Sequence, residues 1–110
     1  MSRTDNLNRV LRGLSTTTPD VEAAAIVDND GLVLASSLPA DMEEDSVAAM
    51  SAALLGISER ISGELGRGDL EMTMIRGGTG YIVLTRAGED SVLMVLTTKK
   101  AKLGLIFLDV

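Results

Sequence analysis

The segment from Asp45 to Leu65 is apolar on two sides, and no other part of the chain constrains the fold as strongly. Its large apolar residues recur at three- and four-residue steps, which places them on one stripe of an α-helix; they are Val47, Met50, Leu54, Ile57, Ile61 and Leu65. Small residues form a second stripe, made of Ala49, Ala52, Ala53, Gly56 and Gly63. A surface helix normally buries one stripe and keeps the opposite face charged. We therefore predict that the large stripe packs in the domain core and that the small stripe contacts a helix of a second molecule.

The length predicts a single domain that covers residues 1–110. The cytoplasm is the expected location, because the sequence has neither the pattern of a secretory signal nor that of a membrane span. Cysteine is absent, which excludes disulfides, thiolate catalysis and cysteine–metal sites. The polar start MSRTDNLNRV has no apolar run of the kind found in secretory signals. No stretch approaches the roughly 18 apolar residues of a membrane span, so membrane insertion is not expected.

The charge balance disfavours nucleic acid as a partner. The chain carries 16 acidic and 10 basic residues, for a net charge of −6, whereas phosphate contacts need clustered Lys and Arg. Lys99, Lys100 and Lys102 form a cluster too short for such a footprint, and we interpret them as a solvated helix start. Tyr81 and Phe107 are the only aromatic residues, which leaves no platform on which bases could stack.

Apolar patterns along the chain predict the element order α-β-β-α-β-β-β-α. Residues 3–15 have helical spacing, and the runs VEAAAIVD and LVLASS flank Asn29-Asp30-Gly31, which predicts a β-hairpin. After the central helix, LEMTMIR, YIVLTR and SVLMVLTT predict three strands joined by GGTG and AGED turns, the last strand being central or buried on both faces. KKAKLGLIFLDV predicts a final helix, which we expect to be truncated because it stops at Val110 without a cap. Because the strand links are short, we predict an α+β domain with a mostly antiparallel sheet.

No motif in the chain predicts an enzyme, a cofactor site or a metal site. Histidine is absent, which excludes histidine acid–base relays and imidazole ligands. The turn GGTG lacks the Lys and Ser/Thr of a phosphate loop, and a strand follows it where a helix is required, so a hairpin turn is the favoured interpretation. Asp28, Asp30 and Gly31 resemble only a fragment of a calcium loop, and a turn is again favoured.

Two groups of charged residues leave alternatives open. Glu43, Glu44 and Asp45 suit the positive end of a helix dipole, but they could also bind a cation weakly or form an acidic rim for a partner. Three arginines, Arg60, Arg76 and Arg86, could act on the phosphates of a partner. Nothing in the sequence distinguishes one of them, and solvated or salt-bridged roles are favoured.

Three segments together resemble bacterial roadblock domains, and in particular the MglB-like regulators of Ras-like GTPases: VEAAAIVDNDGLVLASSLP, EDSVAAMSAALLGISERISGELGRGDLE and AKLGLIFLD. The resemblance extends from about Leu7 to Val110. It implies a roadblock (profilin- or longin-like) fold, in which a five-stranded antiparallel sheet carries helices on its faces.

The resemblance also implies a homodimer in which the central helices lie side by side and the third strands pair edge to edge. This agrees with the small stripe of the helix and with an edge strand that has neither proline nor lysine to block pairing. The residues that we predict at this dimer interface are Ala49, Ala52, Ala53, Gly56, Met72, Met74 and Ile75.

Members of the resembled family bind small Ras-like (MglA-like) GTPases, and the MglB-like ones stimulate GTP hydrolysis by reshaping the GTPase, with roles in cell polarity and motility. The resemblance therefore implies a GTPase regulator that has no catalytic residues of its own. We predict a GTPase-facing set on the exposed part of the central helix: Ser51, Ser58, Glu59, Arg60 and Ser62. The alternative is a non-catalytic scaffold that links a GTPase to other proteins. A small-molecule sensor is disfavoured because the core is aliphatic and offers few convergent polar groups.

Overall fold

One five-stranded sheet and one long helix make up the part of the chain that the computed structural model describes, namely residues 21–99 together with Arg9 and Gly13. The elements, numbered over these residues, are β1 (Val21–Asp28), β2 (Val33–Ser37), α1 (Glu44–Glu64), β3 (Thr73–Arg76), β4 (Gly80–Arg86) and β5 (Ser91–Thr98). Arg9 and Gly13 are helical, but the rest of the predicted first helix and almost all of the predicted last segment lie outside the described residues.

The sheet has the strand order β2-β1-β5-β4-β3, and all of its pairings are antiparallel. The predicted α+β class, the five strands and the antiparallel sheet are therefore confirmed. β5 occupies the centre of the sheet, as its nearly continuous apolar sequence predicted. β2 and β3 are the two edges, and the predicted edge position of β3 is confirmed.

The β1–β2 hairpin forms where the sequence Asn29-Asp30-Gly31 predicted it. One carboxylate oxygen of Asp28, Oδ1, accepts hydrogen bonds from the backbone N–H groups of Asp30 and Leu32, both at 2.9 Å. The turn closes with a bond from the Gly31 N–H to the Asp28 carbonyl at 3.0 Å. Gly31 has φ +88°, a conformation that side chains with a Cβ rarely adopt. Asp28 and Asp30 thus act as turn residues.

Apolar side chains alternate between the two faces of the sheet and form two core clusters. On the face covered by α1, the cluster includes Val27, Leu84, Val92 and Met94. On the opposite face lies a second cluster of Val21, Ala24, Ile26, Ala35, Val83, Leu93 and Val95. Burial on both faces explains why β1 and β5 show continuous apolar runs rather than alternation.

The helix packs on the sheet through a different face from the one we predicted. Its buried residues are Ala48, Ser51 and Leu55, and Ala52 packs against the same cluster. Of the large stripe, Val47 and Leu54 pack partly against the core, but the predicted core positions of the other four are wrong: Met50, Ile57, Ile61 and Leu65 are exposed. The strands already supply the bulky side chains at this contact, so the helix meets them with mostly small residues and can approach closely.

The two ends of α1 follow the signals in the sequence. Glu44 and Asp45 lie in the first turn, where their charges favour the positive end of the helix dipole, and Glu43 is the N-cap residue. The helix stops before Gly66, whose φ of +69° is suited to a helix terminus. The Gly66 N–H donates to the Gly63 carbonyl at 3.1 Å.

Candidate interaction surface

A stripe of large apolar side chains on α1 faces away from the sheet. Leu65 is 66% exposed, Met50 62%, Ile57 54% and Ile61 52%. Single exposed apolar residues are common on protein surfaces, but a contiguous row of four along one helix is typical of an interaction site. We call these four residues the exposed stripe.

The exposed stripe continues into a groove beside the edge strand β3. Ile61 and Leu65 line this groove together with Leu70, Met72 and Thr73, and its volume is about 290 Å³. The Oγ1 atom of Thr73 is buried and has no hydrogen-bond partner within the described part of the chain. On β3 itself, Met74 and Ile75 are each 41% exposed. Ile75 lies on the α1 side of the sheet, because its cross-strand partner Ile82 packs against the cluster under α1, whereas Met74 pairs with Val83 of the opposite cluster. The exposed stripe, the groove and Ile75 thus form one apolar surface.

The small stripe of α1 lies on the other flank of the helix. A Cβ atom built on Gly31 would lie 3.0 Å from the Cα of Ala49, which places this flank against the β1–β2 turn. Further along, Gly63 lines an open hollow with Gly88 and Glu89 of the β4–β5 turn. Ala49 and Ala53 are exposed, while Ala52 and Gly56 are half-buried. The predicted dimer residues of the helix and those around β3 therefore lie on opposite flanks of α1. One compact interface would not include both groups.

The five residues that we predicted to face a GTPase differ in their exposure. The predicted exposure of Ser51 is wrong, because this residue is buried (7% exposed) on the face that packs on the sheet. Ser58, Glu59 and Ser62 are half-buried, and the Ser62 hydroxyl donates to the Gly68 carbonyl at 2.8 Å. Of the five, Arg60 alone is exposed. Because serine is polar, the sequence predicted that these residues lie on the surface. On this helix, small polar side chains instead lie at the close contact with the sheet.

Glu59 belongs to a charged cluster that joins three elements. Arg86, at the end of β4, donates from Nη2 to Glu59 Oε1 at 2.6 Å and from Nε to Glu59 Oε2 at 3.1 Å. Arg86 Nη1 also donates to Asn29 Oδ1 in the β1–β2 turn. Such a two-point pairing is geometrically specific, and it fixes the C-terminal half of α1 to the sheet.

The cluster changes the proton affinity of its members. Hydrogen bonds from Arg86 lower the pKa of Glu59, although partial burial acts in the opposite direction. The bonds to Glu59 raise the pKa of Arg86 further above its already high value. The partners are 27 and 57 residues apart in the chain, so no local sequence signal could have predicted the cluster.

The three candidate arginines have different surroundings. Arg86 is held in the cluster just described, which confirms the salt-bridged interpretation for this residue. Arg60 lies 3.8 Å from Glu64, and both side chains are well exposed. An exposed pair of this kind contributes little to stability, so Arg60 remains available to a partner. Arg76, the last residue of β3, is exposed.

The described residues hold no obvious site for a small ligand. A hollow of about 600 Å³ lies between α1 and the β4–β5 turn, but it is open, and acidic side chains and glycines make up much of its lining. Within residues 21–99, no group of three or more Asp or Glu side chains is arranged to hold a metal ion. No helix in that range is long and apolar enough to cross a membrane.

A comparison with family models agrees with this architecture, since the model of the Roadblock/LC7 domain matches residues 7–97. The chain belongs to the Roadblock/LC7 family. An uncharacterized protein of Methanocaldococcus jannaschii, MJ0310, is 43% identical over 100 residues, which cover 91% of this chain and 86% of the relative. The family resemblance noted in the sequence is therefore confirmed.

Solved structures of roadblock domains share the fold. Myxococcus xanthus MglB has a TM-score of 0.87 at 19% identity, covering 99% of this chain and 82% of that one. A Roadblock/LC7 domain from Streptomyces avermitilis has a TM-score of 0.84 at 22% identity, covering 93% of this chain and 86% of the other. At these identities the likeness establishes the fold of this roadblock domain and does not extend to its activity.

Proposed function

We propose that this roadblock domain forms a homodimer that binds a small Ras-like GTPase and stimulates its GTP hydrolysis by reshaping the GTPase site. The observation that carries the proposal is the apolar surface formed by the exposed stripe, the groove and Ile75 of the edge strand β3. The membership of the family and the resemblance to MglB-like regulators support the choice of a GTPase as the partner.

The apolar surface suits a two-fold contact with a second copy. The residues of β3 include neither proline nor lysine, so nothing in that strand blocks pairing with another strand. If two copies of β3 pair around a two-fold axis, the sheets join and the two exposed stripes approach each other. An isologous contact of this kind uses the same patch on both subunits, which covers Ile61 and Leu65 of the exposed stripe together with Ile75 of β3.

The side of α1 opposite the sheet is the surface that we assign to the GTPase. Ala53 and Ile57 are each two positions from the buried Leu55, which places them about 160° away from it around the helix. Arg60 and Glu64 continue this exposed side. In the proposed dimer, the two helices would present these residues as one shared face. The proposed GTPase-facing surface thus keeps Arg60 from the sequence prediction. It leaves out the buried Ser51 and adds Ala53 and Ile57.

The proposed mechanism needs no catalytic group from this chain. If the dimer binds the hydrolysis-competent conformation of the GTPase more tightly than the other conformations, binding raises the population of that conformation. Stimulation then depends on differential affinity alone. This mechanism differs from one in which an inserted arginine contacts the phosphates, which is worth about 10³–10⁵ in rate.

Single-turnover hydrolysis of GTP by a Ras-like GTPase from the same genome tests the proposal. We expect acceleration that saturates at two chains per GTPase. Arg60→Ala should reduce the maximal rate by less than about tenfold, because losing an inserted arginine would cost far more. Lys99→Ala, just after β5, is the matched control for the loss of an exposed cation away from α1 and β3.

The outcomes separate the two candidate functions. Binding without any change in hydrolysis would contradict stimulation and favour the alternative, a non-catalytic scaffold that links a GTPase to other proteins. A loss of 10³-fold or more in Arg60→Ala, with the dimer intact, would instead show that this arginine acts directly on the phosphates.

A further inference from the structure

Acidic residues are concentrated at one edge of the sheet. Between residues 21 and 58 the chain has seven acidic residues and no Lys or Arg, whereas the whole chain has a net charge of only −6. The seven are Glu22, Asp28, Asp30, Asp41, Glu43, Glu44 and Asp45. This segment contains β1, β2 and the first half of α1, so its charge lies around the β2 edge and not around β3.

Acidic side chains lie near both ends of β2. At one end Asp30 is exposed in the β1–β2 turn. At the other end the Ser36 hydroxyl donates to Glu44 Oε1 at 2.6 Å, which joins the start of α1 to the strand. Asp41 and Glu43, in the loop that precedes α1, are also exposed. A strand of five residues is about 17 Å long, so two negative regions about that far apart flank β2.

β2 also presents an edge with which no described strand pairs. It is bonded to β1 on one side and is the last strand in the order β2-β1-β5-β4-β3. Every second residue of such a strand directs its backbone N–H and C=O away from the sheet, and these groups can pair with an added strand. The sequence VLASS contains no proline or charged residue that would block this pairing.

We propose that the β2 edge binds an extended, basic polypeptide segment of a partner protein, which adds to the sheet as a sixth strand. Backbone hydrogen bonds supply the pairing, and Lys or Arg at both ends of the segment meets the acidic regions around Asp30 and Glu43. A second copy of this chain does not fit, because two β2 edges would bring acidic regions of the same sign together. The inference is independent of the proposed function, in which β3 forms the dimer contact and α1 contacts the GTPase.

A set of three labelled peptides tests the inference on the full chain. KKTVTVTKK is the basic extended probe, EETVTVTEE reverses its charge, and KKTVPVPKK keeps the charge but removes two backbone donors. We expect the first to bind, the second not to bind, and the third to bind at least tenfold more weakly. Amide exchange should show new protection within Leu34–Ser36 and none in β3.

Charge variants give a matched control for the same peptide. Glu43→Lys should weaken binding of the basic peptide about fivefold, which corresponds to about 1 kcal/mol. Glu71→Lys makes the same charge change before β3 and should have no effect. Equal affinity for the proline peptide, protection confined to β3, equal effects of the two variants or no binding at all would each overturn the proposal. None of these results depends on GTP hydrolysis.

Discussion

A pair of substitutions on opposite flanks of α1 tests where the dimer contact lies. Ile61→Ser removes an apolar side chain from the exposed stripe, beside the groove that leads to β3. Gly56→Glu places a carboxylate on the small stripe, which was the interface predicted from the sequence. A Cβ at Gly56 would meet no atom of another element within 4 Å among the described residues, so the variant introduces no clash with them. The two variants therefore test separately whether each flank of α1 contributes to the dimer contact.

The expected effect of Ile61→Ser follows from the exposure of this side chain. Complete burial of an isoleucine is worth about 1.5–3 kcal/mol. Ile61 is 52% exposed in the subunit, so covering the remainder at an interface contributes about 1 kcal/mol. A two-fold contact uses the residue twice, for a total of about 2 kcal/mol per dimer. The dimer Kd should thus increase about 30-fold.

Gly56→Glu should leave the dimer Kd almost unchanged if the contact uses the exposed stripe. If the small stripe were the interface, the same substitution would bury an unpaired carboxylate at a cost of several kcal/mol, and the dimer would be lost at micromolar concentration. Sedimentation velocity over a range of protein concentrations measures both constants. Unfolding in urea at concentrations where each protein is monomeric should give free energies within about 0.5 kcal/mol of the parent.

The opposite pattern, a monomeric Gly56→Glu and an unaffected Ile61→Ser, would refute the assignment of the contact to the exposed stripe. A parent protein that remains monomeric at all accessible concentrations would refute the dimer itself. Thermal unfolding must be compared at equal concentration, because dissociation makes the midpoint depend on mass action.

Three further substitutions test the fold. Leu55→Ala should lower the free energy of unfolding by about 2–5 kcal/mol in urea titrations, because Leu55 is fully buried between α1 and the sheet. Gly80→Ala should destabilise by at least about 1–3 kcal/mol in the same assay, since its Cβ would lie 2.2 Å from the Thr97 carbonyl oxygen. Glu59→Gln should cost about 0.5–1 kcal/mol at pH 7, as expected of a partly exposed pair. Because folding lowers the pKa of Glu59, that difference should shrink as the pH falls below the ordinary value of 4.5, which unfolding curves at several pH values can measure.

Local signals were sufficient to predict most of the elements. The turn Asn29-Asp30-Gly31 specifies the hairpin because its side chains and its glycine bond the turn directly. The continuous apolar run of β5 predicted a central strand because both faces of such a strand are covered. The predicted start of α1 is one residue from its observed start at Glu44.

The candidate surface was harder to predict, because α1 has apolar residues on more than one side. A hydrophobic pattern identifies which faces of a helix avoid water, but it does not tell which of them meets the sheet and which meets another molecule. Larger residues were therefore assigned to the core, whereas Ala48, Ser51 and Leu55 occupy it. Ser51, Ser58 and Ser62 were assigned to the surface because they are polar, and a sequence pattern does not show that a small polar residue can lie against the sheet.

The sequence by itself determined the class of the domain, the order of its strands along the chain and the absence of histidine and cysteine chemistry, because periodicity, turn residues and composition are local properties. The tertiary structure decided which face of α1 is buried, the cluster that joins Arg86 to Glu59 and Asn29, and the difference between the apolar β3 edge and the acidic β2 edge. These features depend on residues far apart in the chain, and packing selects among helix faces whose sequence patterns are equally apolar.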